Sequence, residues 1–444
     1  GKTMTQQALY CKAIALDENC ALAYNNLALT LPANGSIQLE NGKTMTKQAL
    51  YCKAIALDET DALAYHNLAN SLPAKGSIRL ENGTTMTKQD LCCKAIALDE
   101  TCAFAYHNLA HITPLNGRIR LLDGTVITQK ESMEKAQQLY RDEIERHGDY
   151  HSDAYSCLSN SIPKQGRIQL HDGTTVTKQA LALKAIALNP NYSHAYTRLG
   201  VALPKGGHIR LHNGELMTQQ ALFLKAIELD QTEGEPYYYL ATLLEPNETL
   251  TLHDGTTLSQ TELYVKAIEL SPYDSEAYNG LARAIASADH AYLTDGSRMT
   301  QRELYLKAIE LDPHHVYAYV NLADSLSEDE TVTLSDGETL SKRQLYVTAF
   351  KRNQAYAELP FCLTDLLPTD DADRVHAIGM TQAMVKQTIQ KYSVNAIKAG
   401  DASGYADLAV IVPEGGSVKL GDTVLTRDEL LKKASQPKPV IIDC

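Results

Sequence analysis

The chain has 444 residues, 44% of them hydrophobic and 21% charged, enough apolar material to bury a core. No apolar run reaches the roughly 18 residues a membrane helix needs, so no membrane partner is expected. The formal net charge of −13 argues against a grip on phosphate backbones, which requires clustered Lys and Arg, so no nucleic-acid partner is expected either.

The chain opens GKTMTQQALYCKAIALD, and residues 42–58 return almost the same string, GKTMTKQALYCKAIALD. Gly1 and Lys2 match Gly42 and Lys43, so the chain is expected to start at the second strand of a hairpin. The first strand and its helix would then lie upstream in a longer array. The Thr or Ser of this string recurs at Thr5, Thr46, Thr87, Thr128, Thr177, Thr218, Ser259, Thr300 and Ser341. The steps are 41 residues except for one of 49, between Thr128 and Thr177. Weaker copies follow at Thr381 and Thr426. Almost the whole chain is one repeat array, which decides the fold before any single element is considered.

One unit, residues 63–98, reads LAYHNLANSLPAKGSIRLENGTTMTKQDLCCKAIAL. Tyr65, Leu68, Ala69 and Leu72 fall at i, i+3, i+4 and i+7, one face of a helix that Pro73 ends. SIRLENGTTM alternates apolar and polar residues around Asn-Gly and predicts a β-hairpin. A two-residue loop would put Met86 on the face opposite Ile78 and Leu80. A three-residue loop, Glu81-Asn82-Gly83 with a left-handed glycine, pairs Ile78 with Met86 and Leu80 with Thr84, and is the one expected. Thr87 then opens a second helix with an acid three residues on, as do Ser259/Glu262, Thr300/Glu303 and Thr426/Glu429, which is a capping box. Leu91, Ala95 and Leu98 mark its buried stripe, and in later copies Pro190, Pro272 and Pro313 close it.

Two stretches break the pattern. The repeat that begins at Thr128, the fourth by this count, carries eight extra residues, so a longer and more charged second helix is expected there. After Ser341 the pattern blurs, with VTAFKRN in place of KAIELDP and a poor hairpin in TDDADRVHAI. Degenerate terminal units commonly cap repeat arrays, so residues 351–444 are expected to form a carboxyl-terminal cap after about eight units in 1–350.

AYHNLANSL, ALYCKAIALD and LYLKAIELDP (304–313) together resemble the helices and closing proline of tetratricopeptide repeats, with Tyr65 where that family usually has Trp. The family unit is about 34 residues. The extra length here falls between the two helices, where a hairpin replaces a short turn. The resemblance is strong over residues 5–351. It departs where the family has a small residue early in the second helix and this chain has Lys47 or its equivalents, and in the absence of any Trp. It implies an α+β repeat protein, a predominantly α-helical right-handed superhelical solenoid with one β-hairpin per repeat.

The resemblance also implies that the first helices line a concave groove. Two columns follow the Tyr of each unit. The first holds Asn25, His66, His107, Ser156, Thr197, Tyr238, Asn279 and Val320; the second holds Asn26, Asn67, Asn108, Arg198, Tyr239 and Asn321. Asn25, Asn26, His66, Asn67, His107, Asn108, Arg198, Tyr238, Tyr239 and Asn321 are the candidate peptide-binding residues. An asparagine ladder both donates to and accepts from a peptide backbone. The competing reading is that these asparagines bond only across the helix pair.

No glycine-rich phosphate loop, G-x-S-x-G elbow or H-E-x-x-H occurs. His107 and His111 have metal-competent i, i+4 spacing but no evident third ligand. His171, His212 and His253 form a column of turn residues, and Asp370-Asp371 sits in a loop-like stretch. Cys11, Cys52 and Cys93 recur at one helix position, as buried reduced thiols would. The expectations are therefore no catalytic residue, no cofactor and no metal. The chain is expected to be a non-enzymatic scaffold that binds a protein or peptide, with its acidity favouring a basic partner. It would be cytoplasmic, or in a host cytosol if it is a translocated bacterial effector. The alternative is a regulatory or substrate-recruiting region of a larger enzyme. Self-association through the hairpins or the open first repeat is a further reading. The hairpins either pair into a continuous sheet or stay separate.

Overall fold

The computed structural model describes residues 4–352, except 115–116, 148–150, 165, 286–289 and 328. Beyond these it describes 390, 393–394, 397, 405, 408–409, 412, 416–420 and 423–434. Most of the expected cap at 351–444, including Thr381, Asp370 and Asp371, lies outside the described residues.

The first helix of each unit is short. Ala62–Asn70 has nine residues, a length marginal in water without tertiary support. Support comes from both ends and one face. Asp61 caps it by accepting from Leu63 and Ala64 N–H, and Tyr65, Leu68 and Ala69 are buried. Its last carbonyls are satisfied by side chains from the second helices on either side. Lys88 Nζ, at the start of the helix that follows, donates to Leu72 O at 3.0 Å. Gln48 Nε2, from the preceding one, donates to Ser71 O at 2.9 Å. Other units repeat this. Lys47 reaches Leu31 O at 2.7 Å and Lys178 reaches Ile162 O at 3.2 Å. Gln219, Gln260 and Gln301 reach Leu203, Leu244 and Ile285 O, and each also bonds the carbonyl three residues earlier. The Lys and Gln that depart from the family pattern are thus helix caps.

Between the helices stand hairpins with three-residue loops. Ile78 pairs with Met86, and Leu80 N–H donates to Thr84 O at 2.8 Å, so the register read from the alternation holds. Gly83 takes φ +86°, which an L side chain adopts only with strain. The last described hairpin, Ser417–Leu420 with Thr423–Thr426, differs by pairing Leu420 with Thr423 across a two-residue connection. Every described hairpin is its own two-stranded antiparallel sheet; none pairs with the next. Strands of three residues leave little edge to pair, and a cleft of about 430 Å³ lined by Met45, Cys52 and Ile78 separates the first two hairpins. The cleft between the hairpins at 249–259 and 290–300 is larger, about 1010 Å³, and has Ala291 where the earlier strand has Ile78.

The second helices open as expected, with capping boxes at Thr87/Asp90, Ser259/Glu262 and Thr300/Glu303 and the same bonds at Thr426/Glu429. Most have 11 residues, whereas Gln129–His147 has 19. Seven of the eight added residues enter at its start, before Gln137. Gln137, not Lys130, bonds the next helix end at Ser161 O (2.9 Å), and Tyr140 is buried as Tyr51 is. Seven residues make just under two turns at about 3.6 residues per turn, so the downstream face keeps its register.

The chain divides into two compact units, 1–313 and 314–444. In the first, Leu27, Leu50, Leu68, Leu91, Leu109 and Leu158 belong to one continuous core. In the second, Tyr346 bonds Asp324, and Leu408, Ala409, Val412, Leu425 and Leu430 form a separate cluster. No described helix is long and apolar enough to cross a membrane.

Packing between adjacent helices is tight enough to predict one mutant. A Cβ added at Gly280 would lie 2.4 Å from Cε1 of the buried Tyr264 ring, so the ring or the helix must shift. Gly280→Ala is expected to cost about 1–3 kcal/mol. Urea denaturation followed by circular dichroism checks it; an unchanged midpoint would mean the ring moves freely.

Candidate functional site

The two columns behave differently. Successive helix positions are turned by about 100°, so the residue after the Tyr stays in the buried arc and the next one leaves it. Asn25 (4% exposed), His66 (8%) and His107 (9%) are buried, not groove-lining, which corrects the expectation for these three. Ser156, Thr197 and Asn279 are buried likewise, while Tyr238 is half-buried. Asn26, Asn67, Asn108, Tyr239 and Asn321 are partly exposed, whereas the Arg198 side chain is only 13% exposed. Asn321 belongs to the second compact unit.

Two of the asparagines are tied to the neighbouring unit. Asn67 Nδ2 donates to Asn25 Oδ1 at 3.0 Å, and Asn108 Nδ2 meets His66 Nδ1 at 3.3 Å. With the amide donating, His66 keeps its proton on Nε2. The ladder is therefore partly a repeat-to-repeat seam, with each amide retaining further hydrogen-bonding capacity. Burial, with Lys88 nearby, lowers the His66 pKa to about 4. His107 and His111 face each other Nε2 to Nε2 at 2.9 Å, one donating and one accepting. Burial, and then His111, bring His107 to about 3, so the pair is neutral at ordinary pH. No cluster of three His, Cys, Asp or Glu suited to a metal occurs among the described residues. His171 contacts Asp142 at 2.8 Å, an exposed turn contact.

Within residues 1–313 the helix ends enclose a cavity of about 720 Å³. One wall carries Lys47, Lys88, Asn67 and His111, and the other carries Asp230, Glu233, Glu235, Asp274 and Asp312, with Arg198 among them. Arg198 forks onto Glu235, Nη1 to Oε1 at 2.6 Å and Nη2 to Oε2 at 2.5 Å, and Nη1 also donates to Asn160 Oδ1 at 3.0 Å. Three first helices are joined by that one guanidinium. Glu233 accepts from Ser193 and lies 2.6 Å from His194 Nδ1. Tyr238 and Tyr239 pack edge to face at 5.1 Å, Tyr239 stacks on Phe223 at 5.3 Å, and Tyr238 donates to Glu276 at 3.3 Å. Burial, together with Glu235 and Glu276, raises the Asp274 carboxyl to about 7. Asn26 lines a smaller adjoining pocket with Tyr10, Asp230 and Thr232.

Asp230, Asp274, Lys47 and Lys88 were not among the residues expected from the sequence. Lys47 was visible there only as a departure from the family pattern. The acids stand at helix junctions whose approach to the first units depends on how the array curves.

A tetratricopeptide repeat family model matches residues 304–344. No curated protein matches. Among solved structures, yeast Tom70 is 15% identical over 97% of this chain and 80% of its own, with a TM-score of 0.33. YrrB, described as a TPR protein with an unusual peptide-binding site, is 18% identical over 62% and 98%, at 0.20. The human IFIT1 dimer with m7Gppp-AAAA is 11% identical over 98% and 90%, at 0.39. None of these three is similar enough for partner or activity to transfer, and the expectation of no nucleic-acid partner rests on composition alone. The repeated helix–hairpin–helix units and the family match define the class: this is a tetratricopeptide-like repeat protein with a hairpin inserted in each unit.

The Asp274 environment makes stability depend on pH. A carboxyl with a folded pKa near 7 and an unfolded value of about 4 binds its proton more tightly when folded. Stability is therefore lost as pH rises through that window. Asn caps the Ser275–Ala284 helix as Asp274 does, but does not titrate. The urea midpoint should fall more between pH 4 and 7 for the native chain than for Asp274→Asn; parallel curves would contradict the assignment.

Proposed function

We propose that this protein is a non-enzymatic scaffold that binds an extended peptide or protein segment along the partly exposed column Asn26, Asn67, Asn108, Arg198 and Tyr239. The observation that carries this reading is the placement of Asn67 and Arg198 on the walls of the 720 Å³ cavity, with Asn26 in the pocket beside it. Partly exposed amides at one position in successive units offer the donors and acceptors that a peptide backbone requires. The acidic wall at Asp230, Glu235 and Asp274, beside Tyr238 and Tyr239, suits a basic side chain of the partner. The described cysteines are all free, which supports a reducing, cytoplasmic setting.

The test is selection of binding peptides from a random displayed library on the full chain, with dissociation constants from fluorescence anisotropy. Asn26→Ala with Tyr239→Ala should weaken the selected peptides about tenfold or more. Circular dichroism must first show equal helicity. Peptides held equally by the variant would move the site to the hairpins or to the long helix Gln129–His147.

A further inference from the structure

One column of the array offers a comparison of two side chains doing the same structural work. The residue that opens the second helix caps the first helix of its unit, and it is Lys at 47, 88 and 178 but Gln at 219, 260 and 301. Glutamine reaches the equivalent carbonyl and bonds a second one as well, so the cap requires no charge. Burial lowers the pKa of both Lys47 and Lys88, the sign that a charge is held there against a cost.

Lys47 and Lys88 are also the two of this column that line the cavity. Each ammonium donates to one carbonyl, Leu31 O or Leu72 O, and retains two further N–H groups. Among the described residues no carboxylate comes within ion-pair distance of either, although Asp230 on the facing wall is near enough to Lys47 to favour its charged form. Some other cations of the array are paired with carboxylates, as Lys225 is with Glu228, Lys266 with Glu269 and Arg198 with Glu235.

Resting on the groove reading above, we propose that Lys47 and Lys88 receive carboxylate side chains of the bound segment. The partner is then a peptide of mixed charge, with acidic residues against Lys47 and Lys88 and a basic residue against Asp230 and Asp274. Its charge order along the chain sets its direction in the groove, because the two walls carry opposite signs.

The decisive variant is Lys47→Gln/Lys88→Gln, in which the array's own glutamines show that the cap survives. The library selection is run in parallel on the full native chain and on this variant. Sequences selected on the native chain should be enriched in Asp or Glu at a fixed spacing from Lys or Arg, and the variant should lose that enrichment. Replacing those acids with Asn or Gln in a selected peptide should weaken it about tenfold on the native chain and leave it unchanged on the variant. Groove-dependent peptides without acidic enrichment, or an acidic preference that persists in the variant, would overturn the proposal and leave the groove reading standing. Absence of any groove-dependent peptide would overturn both.

Discussion

Everything in this array depends on how the carbonyl end of a nine- or ten-residue helix is satisfied. Such a helix has four carbonyls without internal partners and too few turns to tolerate leaving them bare. Here the chain runs from that end into a hairpin and returns, and the side chain that opens the next helix, Lys47, Lys88 or Gln260, is delivered to the waiting carbonyl. The backbone closes the same junction, since Lys47 N–H bonds Gly35 O and Lys88 N–H bonds Gly76 O, both at 3.0 Å. The glutamine one position further along, Gln48 or Gln179, does the same for the following unit. Each helix end is thus fixed by its own unit and by its neighbour, and the units are spliced through polar bonds as well as through Leu and Ala packing.

That splice explains the insertion in Gln129–His147. Its extra turns are placed before Gln137, so the bond to Ser161 O and the burial of Tyr140 are kept while charged residues are added. It also explains why the hairpins are free to vary. Their strands pair only with each other, so a strand can carry Ala291 in place of an isoleucine without disturbing a shared sheet.

The binding surface rests on the same splice. Because the helix ends are held in register, one position in successive units becomes a column, and a cavity wall acquires the chemistry of that column. Where the capping residue is lysine the wall is cationic, and where the helix junctions supply Asp230 and Asp274 it is acidic. Arg198 is the exception, a cation on the acidic side that is consumed by Glu235 and Asn160.

The local chemistry was legible in the sequence. Period, hairpin register, left-handed loop glycines and capping boxes are all set by residues within a dozen positions of one another, and all were readable from spacing. The column of Asn26, Asn67 and Asn108 was indicated only through the family resemblance, which placed it in a groove together with the column beside it. The burial of Asn25, His66 and His107 was not, since periodicity alone does not say how wide an arc the neighbouring helices cover. Nor was the cavity, in which Lys47 and Asp230 share one space. Their proximity sums small rotations over several units, and only the tertiary structure fixes that sum.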